Sequence, residues 1–255
     1  MDEFRFIDLE THDAYMNMAI DEAIMLAMKE GKAPPTLRIY RWNPSAVSIG
    51  TFQSMSDEID VEFCREKGVD YIRRITGGGA VFHDYEGEVT YSIIIPKEHR
   101  LAVSDIQESY RLLCGGIVNA LKHLGIVSEF KPINDVNVGG KKVSGNAMTR
   151  KHSCILQHGT TLLDLDASLM FTILKVQQEK ISDKMISDVM ERVTSIREVL
   201  DRDVQISELA ESIMLGFSDA LDIDLISGIL SEEEQESASK LAQEKYATDR
   251  WNFAR

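Results

Sequence analysis

The period of the hydrophobic pattern changes along the chain. Met16, Ile20, Ala23 and Ala27 recur at helical spacing between positions 15 and 30, and Gly31, Pro34 and Pro35 supply a stop, which predicts an amphipathic first helix. Short runs rich in β-forming residues follow at 36–42, 46–49 and 71–75, broken by Asn43-Pro44 and by a charged helical stretch at 57–67. The run 88–95 is the clearest strand. Ser104 with Gln107 three residues on reads as a capping box, and Ile106, Tyr110, Leu113, Ile117, Leu121 and Leu124 then trace one helical face up to Gly125. Positions 135–138, the pair Gly139-Gly140 and positions 141–145 read as a hairpin, and 154–164 as a further strand. Beyond Ser168 the pattern is helical, with Leu209, Ile213 and Phe217 on one face and a second capping box at Ser231 and Glu234. Strands early and helices late predict an α+β fold rather than an alternating parallel sheet. With no repeat or low-complexity linker, one domain over 1–255 is expected, mainly helical from about residue 168.

Composition narrows the function. A chain of 255 residues with 44% hydrophobic content can bury one large core. Its formal charge of -14, from 42 acidic and 28 basic residues, opposes attraction to a phosphate backbone and argues against nucleic-acid binding. The sign is uneven: the chain from Asp201 onward has 13 acidic and 5 basic residues, whereas positions 121–160 have 6 basic and 2 acidic ones. An anionic ligand would be drawn to that middle stretch. The three cysteines lack C-x-x-C spacing and are odd in number, against a disulfide framework or zinc site, so a reducing cytoplasm is expected. No charged start leads into an apolar run and no stretch reaches roughly 18 apolar residues, so neither secretion nor membrane spanning is expected.

Three clusters carry candidate chemistry. The first is Arg73-Arg74-Ile75-Thr76-Gly77-Gly78-Gly79-Ala80-Val81-Phe82-His83-Asp84. Three consecutive glycines between strand-like runs suit a tight turn or a close approach of a ligand to backbone amides, and the flanking arginines suit a phosphate or carboxylate. A glycine-rich hairpin with solvated arginines is the plainer alternative. The P-loop spacing G-x-x-x-x-G-K-(S/T) is absent here and around Gly139-Gly140-Lys141-Lys142, and no dinucleotide fingerprint is present. The second cluster is Asn134-Asp135 followed by Lys141-Lys142-Val143-Ser144-Gly145-Asn146-Ala147. A lysine at a small-residue turn can fix positive charge on a phosphate or a reacting acyl oxygen, or can be a solvated hairpin tip. Asp135 can hold Mg²⁺ through one carboxylate or cap a turn. The third is Gln157-His158-Gly159-Thr160, whose histidine could touch a ligand or be a satisfied core residue, as could His83.

In this order the clusters resemble the lipoate-protein ligase A family. Its pattern runs R-R-x-(S/T)-G-G-G-A-V-(F/Y)-H-D, then N-D, then K-x-x-G-x-A, then a histidine strand leading to two leucines and an aspartate, and the likeness extends from about Phe6 to the end. The resemblance implies the biotin/lipoate protein ligase fold, a mixed central sheet flanked by helices and related to class II aminoacyl-tRNA synthetases. It implies an enzyme that activates lipoic acid with ATP and Mg²⁺ to lipoyl-AMP and passes the lipoyl group to a lysine of a lipoyl-domain carrier. Such carriers are the E2 subunits of 2-oxoacid dehydrogenases and the glycine cleavage H protein. By the same resemblance Lys142 is the catalytic cation, and Met18, Glu22, Trp42, Arg74, Thr76, Gly77, Gly78, Gly79, Val81, His83 and His158 bind the acyl substrate. Gly79, Ala80, Val81, Asn134, Asp135, Lys142 and Ser144 would face the nucleotide, Asp135 also its metal. Longer members continue past a Trp-Asn sequence into a small accessory domain, whereas this sequence stops at Trp251-Asn252-Phe253-Ala254-Arg255. It therefore resembles the split form, in which a separate small accessory protein serves activation.

Two other functions compete. An octanoyltransferase of the same superfamily takes its acyl group from acyl carrier protein through a cysteine thioester, and 90–95 and 155–160 resemble that branch too. It needs an activated thiol, yet no cysteine lies between Gly125 and Lys142, where that branch places it. Cys64 and Cys114 read as structural, which leaves Cys154 as the one thiol near the motifs. The other competitor is a non-catalytic module that binds a lipoyl or acyl ligand.

Overall fold

The computed structural model describes residues 2–174 and 191–254, so positions 175–190 of the expected helical tail lie outside it. The chain begins with β1 (Asp2–His12), α1 (Ala14–Lys29), β2 (Thr36–Trp42) and β3 (Ala46–Ile49). Two short helices, α2 (Met55–Glu58) and α3 (Val61–Lys67), precede β4 (Asp70–Arg73), β5 (Val81–His83) and β6 (Glu88–Pro96). Then come α4 (Ile106–His123), β7 (Glu129–Lys131), β8 (Asp135–Val138), β9 (Lys141–Lys151) and β10 (Cys154–Leu162). The last part holds α5 (Ala167–Ile173), α6 (Ile196–Leu200), α7 (Ile206–Leu221), β11 (Ile223–Ser227) and α8 (Glu232–Leu241). A π-helical turn (Ala242–Tyr246) and α9 (Asp249–Asn252) end the described chain.

Among the described residues the strands form a large mixed sheet, ordered β11-β1-β2-β6-β10-β9-β8-β7, and a small one, β4-β3-β5. β1 is parallel to both β11 and β2, and β3 to β4, while the remaining pairs are antiparallel. This is the expected α+β class. The first helix, the hairpin with its two positive-φ glycines and the capping box on Ser231 are also where they were expected.

The structure corrects two readings. The Asp105 carboxylate, rather than the Ser104 hydroxyl, caps α4, accepting from the Glu108 N–H at 2.8 Å. The tail is less uniformly helical than its pattern suggests, because β11 docks in parallel on the outer edge of β1. Five residues following directly on a helix carry little periodicity of their own, so that strand exists through its partner's free edge.

Side-chain alternation divides the main core. On one face Leu37, Ile39, Tyr91, Ile93 and Ile155 pack beneath Leu113 and Ile117 of α4 and Leu209, Ile213 and Phe217 of α7. On the other, Tyr40, Trp42, Ile94 and Leu156 meet Met18, Ile20 and Ile24 of α1 together with Tyr246. Each such side chain stabilises the fold by roughly 1.5–3 kcal/mol. A separate cluster of Val47, Ile49, Cys64, Phe82 and Ile173 supports the small sheet. No helix among the described residues is long and apolar enough to cross a membrane.

Candidate active site

Between the two sheets opens a cavity of about 290 Å³. The large sheet contributes Tyr40 and Trp42 from β2, Thr90 from β6 and His158 and Thr160 from β10, and the small sheet contributes Ser48, Val81, Phe82 and His83. Period-two alternation explains the large-sheet set: residues 40, 42, 90, 158 and 160 share the face opposite Leu37, Tyr91 and Ile155. The cavity lies over that face beyond the end of α1, with Met18 in its wall.

The glycine turn closes over this cavity because Arg74 holds it. The buried guanidinium donates to the carbonyls of Gly77 at 2.7 Å and Gly79 at 2.8 Å, curling the turn around itself. Gly78 is the position where glycine is required: its φ is +96°, and a Cβ there would meet Arg74 Nη2 at 2.8 Å. Burial pulls the Arg74 guanidinium down to about 10, which leaves it a cation at neutral pH. The same side chain donates through Nη1 to Ser48 Oγ at 3.0 Å and through Nε to Thr76 Oγ1 at 3.1 Å.

Those two hydroxyls lead to the two histidines. Ser48 Oγ lies 2.8 Å from His83 Nε2, and His83 Nδ1 lies 2.7 Å from Glu88 Oε1. Thr76 Oγ1 lies 2.7 Å from His158 Nε2, whose Nδ1 faces Asp21 at 3.6 Å. An arginine can only donate, so each hydroxyl accepts from Arg74 while lying within hydrogen-bond reach of an imidazole Nε2. Burial pushes the His158 imidazole down from its ordinary range. His83 also stacks on Trp42 with centroids 4.1 Å apart, and the Trp42 indole donates to Thr90, which donates to Glu88.

Lys142 reaches the cavity from the hairpin. Its ammonium lies 2.7 Å from Asp135, and its backbone is bonded to Arg192 and Thr194. Across the hairpin Asp135 pairs with Gly145. A Cβ on Gly145 would meet the end of the Lys142 side chain at 2.7 Å, so that glycine makes the room in which the ammonium lies. The lysine and the glycine turn thus open on one space.

Of the residues singled out from sequence, Met18, Trp42, Arg74, Gly78, Gly79, Ala80, Val81, His83, Asn134, Lys142 and His158 line the cavity. Glu22, Thr76, Gly77, Asp135 and Ser144 stand outside its wall. Glu22 is engaged elsewhere, by Lys245 at 2.6 Å and Tyr246 at 2.5 Å. Thr76 and Gly77 act behind the wall as partners of Arg74, Asp135 holds Lys142, and Ser144 is buried beside Asn146. Sequence reading gave no role to Ser48 or Glu88, and it named Asn146 only as part of the second cluster. Glu88 had a signal, an acid heading an apolar strand, but Ser48 had none. Among the described residues no three His, Cys, Asp or Glu side chains gather as they would around a metal ion.

None of the three cysteines lines this cavity. Cys114 lies on α4, across the large sheet, where burial pushes its thiol up to about 12. Cys64 lies in the cluster supporting the small sheet, pushed up to about 11 by burial. Cys154 shares the His158 face of β10, but four residues of strand, roughly 13 Å, separate the two.

Comparison with known proteins places this geometry in a family. The model of the lipoyl protein ligase A/B catalytic domain matches residues 13–218. The octanoyltransferase LipM of Brevibacillus brevis is 36% identical with 100% of each chain covered, and that of Clostridioides difficile is 35% identical with 100% of each covered. Among solved structures, a chain from a bipartite lipoate protein ligase studied with its E2 lipoyl domain, from Thermoplasma acidophilum, superposes with a TM-score of 0.89. It is 32% identical, with 99% of this chain and 97% of that one covered. Protein Ta0514 of the same organism, solved with bound lipoic acid, is 30% identical with a TM-score of 0.81 and 99% and 100% coverage.

The full-length octanoyltransferase relatives correct the expectation of an ATP-dependent lipoate ligase and favour the transferase of the same superfamily. The quoted motifs build a cavity with a cation at its edge, which either reaction could use, so they did not separate the two. The matched model spans most of the sequence, and the chain accordingly belongs to the lipoyl protein ligase A/B catalytic domain family, as an enzyme of lipoate and octanoate transfer.

Proposed function

We propose that the chain is an octanoyltransferase, working in the cytoplasm, that moves an octanoyl group from a thioester on acyl carrier protein to the ε-amine of a lysine on a lipoyl-domain carrier. The carrier would be a dehydrogenase E2 subunit or the glycine cleavage H protein. The observation that carries this reading is the full-length likeness to octanoyltransferases, and the convergence of Lys142 and the Arg74-held glycine turn on one cavity, with Met18, Trp42, Val81 and Phe82 in its wall, gives the reaction its place. An eight-carbon chain entering it leaves water, a gain of about 0.8 kcal/mol per buried CH₂. The carbonyl then lies toward Lys142, held in place by Asp135 at 2.7 Å. A thioester needs no prior activation, and its carbonyl gathers negative charge when an amine adds to it. The ammonium stabilises that charge, an effect worth roughly 3 kcal/mol of barrier when such a donor is fixed in place.

The test is to incubate the purified protein with octanoyl-acyl carrier protein and a lipoyl domain, without nucleotide, and to weigh the domain. A gain of one octanoyl group on its lysine is expected. Because a solved relative binds lipoic acid, a lipoyl thioester belongs in a parallel reaction. Modification that occurs only with free acid plus ATP would overturn the proposal.

A further inference from the structure

The ammonium of Lys142 and the carboxylate of Asp135 are both partly exposed, so burial alone does not fix where they stand. Their position depends on the backbones that carry them, and those backbones meet at the buried Asn146. Asn146 Nδ2 donates to the Asn134 carbonyl at 2.9 Å, and the Asn146 N–H donates to the same oxygen at 3.0 Å. In return Asn134 Nδ2 donates to the Asn146 carbonyl. A carbonyl can only accept, which fixes Nδ2 as the donor and the other end of the Asn146 amide as Oδ1. That oxygen accepts from the buried Tyr91 hydroxyl at 2.6 Å, and Tyr91 accepts from Gln157 Nε2 at 2.7 Å.

Gly159 makes this link possible. It pairs with Asn146 on one side and Tyr91 on the other, and a Cβ there would stand 2.0 Å from Asn146 Oδ1. The missing side chain is the passage through which an amide on β9 reaches a hydroxyl on β6. Asn134 directly precedes Asp135, which lies 2.7 Å from Lys142 Nζ, and Gly145, directly before Asn146, leaves the space in which the end of that lysine lies. Resting on the octanoyltransferase reading, we propose that Asn146 is a positioning residue for the transfer: anchored on Tyr91 and bonded to Asn134, it sets the Asp135–Lys142 pair where the ammonium meets the acyl carbonyl. The amide itself is spent on Asn134 and Tyr91, so its effect on the reaction runs through Lys142.

The test is octanoylation of the lipoyl domain by the wild type, Asn146→Ala, Lys142→Ala and the double variant, over a range of octanoyl-acyl carrier protein concentrations. Asn146→Ala is expected to lower kcat about 10- to 100-fold with KM unchanged, the scale of a displacement of about 1 Å in a catalytic group. In the Lys142→Ala background the same change is expected to cost nothing further, because the group it acts through is gone. Tyr91→Phe keeps the ring in the core and removes only the hydroxyl, so it is expected to fold like the wild type with a smaller loss in kcat, and it serves if Asn146→Ala does not fold. A second readout needs no turnover: Lys142 is expected to be acetylated by acetic anhydride faster in Asn146→Ala and Tyr91→Phe than in the wild type, as in Asp135→Asn, followed by peptide mass. An equal fold-loss with and without Lys142, a raised KM at unchanged kcat, or wild-type labelling of Lys142 in both variants would overturn the proposal. Absence of any transfer from the thioester by the wild type is a different failure, since it defeats the octanoyltransferase reading itself, while the labelling still reports whether Asn146 and Tyr91 hold the lysine.

Discussion

Among the described residues of the cavity wall, Lys142 and Arg74 are the lysine and arginine side chains, and replacing Lys142 with alanine removes one of these two cations. The residue is partly exposed and its loss opens no core, so activity and stability should part company. Turnover in Lys142→Ala is expected to fall by roughly 100- to 1,000-fold at an unchanged melting temperature, measured by octanoylation of the lipoyl domain and by thermal denaturation. Gly145→Ala tests the same ammonium through its neighbour. The added methyl occupies the space that the lysine end now fills, and a shift of about 1 Å in a catalytic group can lower the rate about 100-fold. Lys142 and His83 were legible in the sequence because they sit in long motifs, and Trp42 only through the family resemblance. Ser48 was not, since a lone serine in a strand acquires meaning only when β3 lies beside β5 and brings it to His83.

His158 carries a pH dependence whose sign follows from its surroundings. Burial is the main cause of its lowered pKa; the cationic Arg74 and the nearby His83 push the same way, and Asp21 pushes against them. The unfolded chain regains the ordinary value near 6.5, so just below that pH it binds a proton that the folded chain refuses. The stability tied to this group is complete above about 6.5 and is lost as pH falls below it. Melting temperature should drop between about pH 7 and about pH 5, and His158→Gln should show a shallower drop.

At the scale of elements, the end of β4 joins distant parts of the chain. Arg73 donates to the carbonyls of Thr51, Gln53, Trp251 and Asn252, and the Trp251 indole donates back to the Arg73 carbonyl. Lys245 and Tyr246 fasten the same terminal segment to Glu22 on α1. Arg73→Ala would leave several buried carbonyls unpaired, each costing roughly 1–3 kcal/mol. A loss of about 3 kcal/mol in denaturant unfolding is expected, with earlier protease cleavage after Lys245. These attachments were hidden from sequence reading because their partners stand about 180 or 220 positions apart. Elements with their own local signals, such as α1, β6 and the hairpin of β8 and β9, were readable in advance. β11 was not, because only β1 makes it a strand.

At the scale of the whole molecule, the fold places its cavity between two sheets supported by different apolar clusters. A bound acyl chain touches both sheets and should bind them together. A non-reactive octanoyl thioester analogue at about 100 times its dissociation constant should add about 2.7 kcal/mol of stability. Hydrogen exchange should show its strongest new protection in β3 and β5, whose supporting cluster is the smallest. The fold class was readable from strands crowding the first half, but the split into two sheets was not, since β3, β4 and β5 have the same composition as strands of the large one.

The chain has two tryptophans. Trp42 lies face to face with His83 in the cavity wall, and Trp251 hangs on the carbonyl of the residue before Arg74. Tryptophan emission from this protein therefore comes from one ring in the cavity wall and one beside the base of the glycine turn, so a ligand that displaces His83 from Trp42 is expected to change it without any added label.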